Sequence, residues 1–196
     1  MASEPIIFKI LLIGESCVGK TELLNKVKTE ELSNNQLSLI GIDFATILLN
    51  IDNQEIQFKI WDTIGQERFK EFDKYYYKDA NGIVFIFDVT NKSSYDNLKN
   101  WIVSIENKEK YSFVLFGNKC DCEHREVTKE MGIKLGEEFK IKYFETSYNT
   151  GQGIEEGFKS LARDIMKRKR IGNNVVKRIK INNEKKKKWK KHNCHN

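Results

Sequence analysis

A chain of 196 residues, 39% of them hydrophobic, is long enough for one domain with a core of its own. Its formal charge of +6 conceals an asymmetry: residues 167–196 carry thirteen Lys or Arg and one acid, Glu184, a net +12, whereas residues 1–166 net −6. No apolar run approaches the roughly 18 residues of a membrane-crossing helix, and four cysteines (Cys17, Cys120, Cys122, Cys194) are too few for a disulfide framework. Met1-Ala-Ser-Glu-Pro lacks signal-peptide character, and Ala2 stands where myristoylation requires glycine. The expectation is a cytosolic acidic globule with a basic tail.

Along the chain, Ile6 to Ile13 is apolar, β-branched and too short for a long helix, and reads as a buried strand. Gly14 to Thr21, GESCVGKT, fits the phosphate-loop pattern GxxxxGK followed by Ser or Thr; Leu23, Leu24 and Val27 then give helical spacing. Residues 29–42 have no sustained period and read as a long loop. Phe44 to Ile51 and a run with Ile56, Phe58 and Ile60 on one face predict a hairpin about Asp52-Asn53, which delivers Trp61-Asp62-Thr63 to its far end. Residues 63–80 hold at most a short helix. Gly82 to Asp88 reads as a strand covered on both faces, Leu98, Ile102 and Ile105 as a helical stripe, and Phe113 to Phe116 as a buried strand ending at Gly117-Asn118. Val127, Met131, Leu135 and Phe139 mark another helix, Tyr143-Phe144 a last short strand, and Ile154, Phe158, Leu161 and Ile165 a closing helix. This alternation predicts an α/β fold: a mostly parallel six-stranded sheet with one antiparallel edge hairpin and helices on both faces. The expected organisation is an N-terminal extension (1–5), one domain (6–170) and a basic disordered tail (171–196).

The pattern gathers chemistry at one end of the sheet. Gly14 and Gly19 let the backbone of Glu15, Ser16, Cys17 and Val18 wrap phosphate oxygens, and the helix opening at Lys20, Thr21 and Glu22 aims N–H groups and a positive dipole at them. Lys20 would reach the β/γ-phosphates, the Thr21 hydroxyl would ligate Mg²⁺, and Asp62 at a strand end would hold the same ion. Gly65 offers an N–H to a γ-phosphate, and Gln66 could orient an attacking water. Asn118-Lys119-Cys120-Asp121 follows a buried strand, and ligands bind at such strand ends. Asp121 can accept from guanine N1 and its exocyclic amine, a donor pair that adenine lacks. Ser147 would close the base pocket.

With these residues the chain resembles a small GTPase of the Ras superfamily, and specifically the Rab family, over about Ile6 to Ile165. The resemblance is carried by GESCVGKT, Ile40-Gly-Ile-Asp-Phe44, Trp61-Asp-Thr-Ile-Gly-Gln-Glu-Arg-Phe69, Tyr76-Tyr-Lys-Asp-Ala80, Phe87-Asp-Val-Thr90, Asn118-Lys-Cys-Asp121 and Leu161-Ala-Arg-Asp-Ile165. It implies a phosphate-loop NTPase of the small G-domain type. It further implies a monomeric switch that binds GTP or GDP with Mg²⁺, hydrolyses GTP using Lys20 and Gln66, and recruits vesicle-trafficking effectors. Exchange factor, GTPase-activating protein and effectors would engage residues 33–44 and 63–80. By the same resemblance Tyr148 would offer its N–H to the base.

The chain also departs from that family. Leu39 replaces a Mg²⁺-ligating threonine; Ser38 adjoins it, but neighbouring side chains on an extended segment point oppositely. Leu32 stands for an aromatic over the guanine face, Ile64 for an alanine, and Tyr148-Asn149 for Ala-Lys, which loses a lysine stem over the base. These changes support a second reading, a module that holds nucleotide or an effector without useful turnover; Lys20, Thr21, Asp62, Gln66 and Asp121 support a slow GTPase.

Other residues have blander readings. Cys17 is expected as a small filler and Trp101 as packing, while Cys120, Cys122 and His124 are too few for a zinc site. Cys194 suits lipidation by analogy with Rab tails, although Asn193-Cys194-His195-Asn196 is neither a CaaX box nor a double-cysteine ending. Lys185 to Lys191 would attract anionic lipid as the second anchoring signal at the cytosolic face of an endomembrane. The alternatives for this run, with Trp189, are phosphate and stacking contacts to RNA, or a solvated end.

Overall fold

The computed structural model describes residues 5–29, 44–62 and 77–170. Six strands form one sheet: β1 (Ile6–Ile13), β2 (Phe44–Ile51), β3 (Gln54–Asp62), β4 (Gly82–Asp88), β5 (Ser112–Asn118) and β6 (Lys142–Glu145), in the order β2-β3-β1-β4-β5-β6. Only β2 and β3 pair antiparallel; the other four pairings are parallel. The hairpin closes as the sequence predicts. Ile51 pairs with Gln54, and Asp52 (φ 51°) and Asn53 (φ 62°) both take the left-handed conformation that a two-residue turn of right-handed twist demands.

Alternation sorts each strand's side chains between two cores. On one face Phe8, Ile10, Leu12, Phe58, Ile60, Val84 and Phe116 pack beneath α1 (Lys20–Thr29) and a helix over 154–170, α4, through Leu23, Leu24, Phe158 and Leu161. On the other, Leu11, Ile13, Phe85, Phe87 and Leu115 pack beneath α2 (Lys92–Ser104) and α3 (Lys129–Phe139) through Leu98, Ile102 and Leu135. The expected two-faced α/β architecture is therefore observed, with β4 buried at every position. Trp101 packs half-buried against the second core, as expected.

Element ends are set by local contacts. β5 extends over Gly117 and Asn118, which pair with Phe87 and Asp88, so Asn118 is a strand residue. α3 opens at Lys129 because the Thr128 hydroxyl caps the Met131 N–H (3.3 Å), leaving Val127 buried just ahead of it. α4 runs past Ile165 and carries Arg168, whose guanidinium donates to the Asn81 carbonyl (2.7 Å) and, by Nε, to Ser112 Oγ (3.3 Å). The loop expected after α1, most of 63–80 and the tail lie outside the described residues.

Candidate nucleotide-binding site

β1 lies between β3 and β4, so chain connections diverge at its carboxyl end and leave the crevice where ligands bind in open α/β sheets. Gly14 to Gly19 fills this position. A Cβ on Gly14 would stand 2.2 Å from the Ile86 carbonyl oxygen, and one on Gly19 (φ 97°) would stand 2.3 Å from Asn118 Nδ2. Both positions therefore require glycine, which lets the loop backbone wrap closely against β4 and Asn118 as a candidate phosphate cradle. Lys20 is buried; its ammonium donates to the Gly14 (2.9 Å) and Glu15 (2.6 Å) carbonyls, which fixes a positive charge against the loop. Glu15 Oε1 accepts from Asn97 Nδ2 (2.6 Å), tying the loop to α2. Val18 is buried, whereas Ser16 and Cys17 are exposed. Cys17 is thus no filler: it holds a left-handed backbone (φ 63°) on the open rim.

Strand periodicity brings the two expected metal ligands together. Ile56, Phe58, Ile60 and Asp62 occupy one face of β3, the face that α1 covers, and Thr21 stands in the first turn of α1. The Thr21 hydroxyl donates to Asp62 Oδ2 at 2.9 Å. A hydroxyl and a carboxylate, both hard oxygen donors beside the phosphate loop, fit Mg²⁺. Glu22, next in the helix, is exposed.

The same periodicity puts Asn118 on the α1 side of β5. Asn118 is buried, donates from Nδ2 to the Val18 carbonyl (2.9 Å) and accepts at Oδ1 from the Thr146 hydroxyl (3.3 Å), so its amide braces the phosphate loop. Lys119, left-handed at φ 64°, turns back across the loop; its ammonium donates to the Cys17 carbonyl (3.0 Å) and pairs with Asp88 Oδ2 (2.5 Å). Partial burial depresses the Lys119 pKa, but the hydrogen bond and charge of Asp88, with smaller contributions from Tyr148 and Cys122, outweigh it and the net shift is upward.

Asp121 stands exposed on the rim. It accepts from Asn149 Nδ2 (2.9 Å), and this bond, with the nearby hydroxyl of fully buried Ser147 adding to it, holds its carboxyl below the ordinary range. Ser147 Oγ accepts in turn from the Thr150 N–H (3.1 Å). Tyr148 is half-buried with its ring edge over Gly19, where a Cβ would come 3.5 Å from Cδ1.

The structure thus assembles the phosphate loop, Thr21 with Asp62, and Asn118, Lys119, Asp121, Ser147 and Tyr148 at one rim. Gly65, Gln66, Leu32, Ser38, Leu39, Ile64 and Cys194 lie outside the described residues. Sequence reasoning missed three participants, Asp88, Asn97 and the Asn149 bond to Asp121. Asp88 alone left a signal, an acid ending a fully apolar strand.

A model of the Ras family matches residues 9–167. The chain is 45% identical over 163 residues to Ras-related protein Rab-8B of Homo sapiens, covering 82% of this chain and 79% of that protein. It is 43% identical over 163 residues to Ras-related protein Rab-13 of Canis lupus familiaris, covering 82% and 80%. Ras-related protein Rab-8 of Diplobatis ommata is 45% identical over the same length, covering 82% and 78%.

Proposed function

This chain belongs to the Ras family as a Rab-type small GTPase, and from that premise we propose how its own residues bind and turn over GTP. It is a GTP-binding switch of membrane trafficking that hydrolyses GTP to GDP and phosphate. The observation supporting the site assignment is a pair of bonds, Asn118 to the Val18 carbonyl and Lys119 to the Cys17 carbonyl, which join the Asn-Lys-Cys-Asp segment to the phosphate loop. They set a carboxylate suited to guanine and a cradle suited to phosphate on one rim.

In this reading the N–H groups of residues 14–22 and the Lys20 ammonium receive the phosphates, Asp121 accepts from guanine N1 and the exocyclic amine, and Ser147 steadies Asp121. The Tyr148 N–H meets the base oxygen. Thr21 and Asp62 would hold Mg²⁺, which would supply positive charge to neutralise the phosphates. Gly65 contacts the γ-phosphate and Gln66 orients the attacking water, which adds to the γ-phosphorus as the bond to the β-phosphate oxygen breaks and the water's proton passes to the released phosphate. The protein acts as a monomer; residues 33–44 and 63–80 meet exchange factor, activating protein and effectors. The tail holds it to the cytosolic face of an endomembrane through Cys194 and the lysines.

Mass spectrometry of the co-purifying nucleotide, followed by single-turnover GTP hydrolysis, tests this. GDP or GTP in near-stoichiometric amount and a slow hydrolysis phase are expected; ATP, or equal affinity for ATP and GTP, overturns the base assignment.

A further inference from the structure

In the base pocket Asp121 is exposed, so its carboxylate is free to rotate among staggered rotamers unless something holds it. The Asn149 amide does: its Nδ2 donates to Oδ2 at 2.9 Å. Asn149 is itself placed by a tight turn. Gly151 N–H donates to the Ser147 carbonyl (2.9 Å), Thr150 N–H to Ser147 Oγ (3.1 Å), and Ser147 N–H to the Gln152 carbonyl (3.1 Å). The turn that buries Ser147 therefore also fixes the backbone from which Asn149 reaches Asp121.

Resting on the base-pocket reading above, we propose that Asn149 is a specificity-determining positioning residue: its amide locks the Asp121 carboxylate in the orientation that accepts both guanine donors at once. A carboxylate oxygen has two lone pairs, so Oδ2 can keep the Asn149 bond while accepting from the base. The lock takes the rotamer cost of Asp121 before nucleotide arrives, and the benefit is greatest for a base offering two donors in fixed geometry. A base with one donor, such as hypoxanthine, tolerates a swinging carboxylate better.

The test measures dissociation of GDP and inosine diphosphate, with Mg²⁺ in excess, from the unmutated protein and from Asn149→Ala, Asn149→Gln, Asp121→Ala and the Asn149→Ala/Asp121→Ala pair. Asn149→Ala should speed GDP release about fivefold, the effect of one hydrogen bond of ordinary net strength, and inosine diphosphate release less, narrowing the preference. Asn149→Gln, which keeps an amide donor, should recover part of the loss, and Asn149→Ala should add nothing once Asp121 is Ala. Slower GDP release from Asn149→Ala would make the Asn149 bond a competitor of the base and overturn the proposal. Equal acceleration of both nucleotides, or an unchanged effect in the Asp121→Ala background, would overturn it too. If the unmutated protein fails to prefer guanine, the base-pocket reading itself falls.

Discussion

Lys119 Nζ and Asp88 Oδ2 meet at 2.5 Å across the ends of the neighbouring strands β4 and β5. The carboxylate is nearly buried and is held from its other oxygen by the Thr90 N–H (2.8 Å) and hydroxyl (2.7 Å), so it is a fixed anchor. Through it the lysine lies along the rim with its ammonium on the Cys17 carbonyl, linking the end of β5 to the phosphate loop.

This pair sets a pH dependence. Lys119 has its folded pKa raised above the ordinary lysine value of 10.5, so the stability it contributes is complete below that value and is lost as pH rises through the higher folded value. Thermal melting of the unmutated protein and Asp88→Asn should differ by a constant margin near neutral pH, and the margin should shrink in the alkaline range. A margin independent of pH would mean that the charge of the pair contributes nothing.

Two neighbouring loop positions should respond with opposite sign. Gly19→Ala adds a Cβ 2.3 Å from Asn118 Nδ2 at φ 97°, and should cost about 2 kcal/mol or more and abolish nucleotide retention. Cys17→Gly relieves a left-handed non-glycine residue at φ 63° on the exposed rim and should stabilise by up to about 1 kcal/mol. Chemical denaturation of the two variants, with nucleotide content after purification, checks both.

Thr21→Ala removes the hydroxyl that pairs with Asp62 while leaving the cradle and Lys20 in place. GDP should dissociate about tenfold faster in excess Mg²⁺, the loss of one charge-linked oxygen contact. With EDTA present the two proteins should release GDP at the same rate. A difference that survives EDTA would assign Thr21 a structural role alone.

Gln66→Leu should slow single-turnover hydrolysis by about tenfold or more while GTP affinity stays within about twofold, since it removes orientation of the water and leaves the phosphate contacts. An unassisted rate insensitive to the change would remove Gln66 from the mechanism.

Cys194→Ser should render the protein mainly soluble on fractionation, whereas replacing the lysines between Lys185 and Lys191 by Gln should abolish only the preference for anionic membranes. Intact protein that carries no lipid by mass spectrometry and fractionates like Cys194→Ser would end the anchor assignment.

The sequence by itself determined what depends on local period and local chemistry. Strand alternation at Ile56, Phe58 and Ile60 continues to Asp62, and GESCVGKT carries glycine at the two positions where its backbone meets β4 and Asn118, so the sheet, its faces and the phosphate loop were legible from the sequence. The ends of β5 and α3 were less so, because they are settled by a neighbouring strand's register and a single capping hydroxyl. Only the tertiary structure decided which distant side chains share the rim. Asn118 meets Val18 across 100 positions and Asn97 meets Glu15 across 82 because β5 and α2 pack beside the loop. Such partners are chosen by strand order and helix placement, so Asn118 proved a brace for the loop, and Asn149 a ligand of Asp121, for reasons that no local spacing encodes.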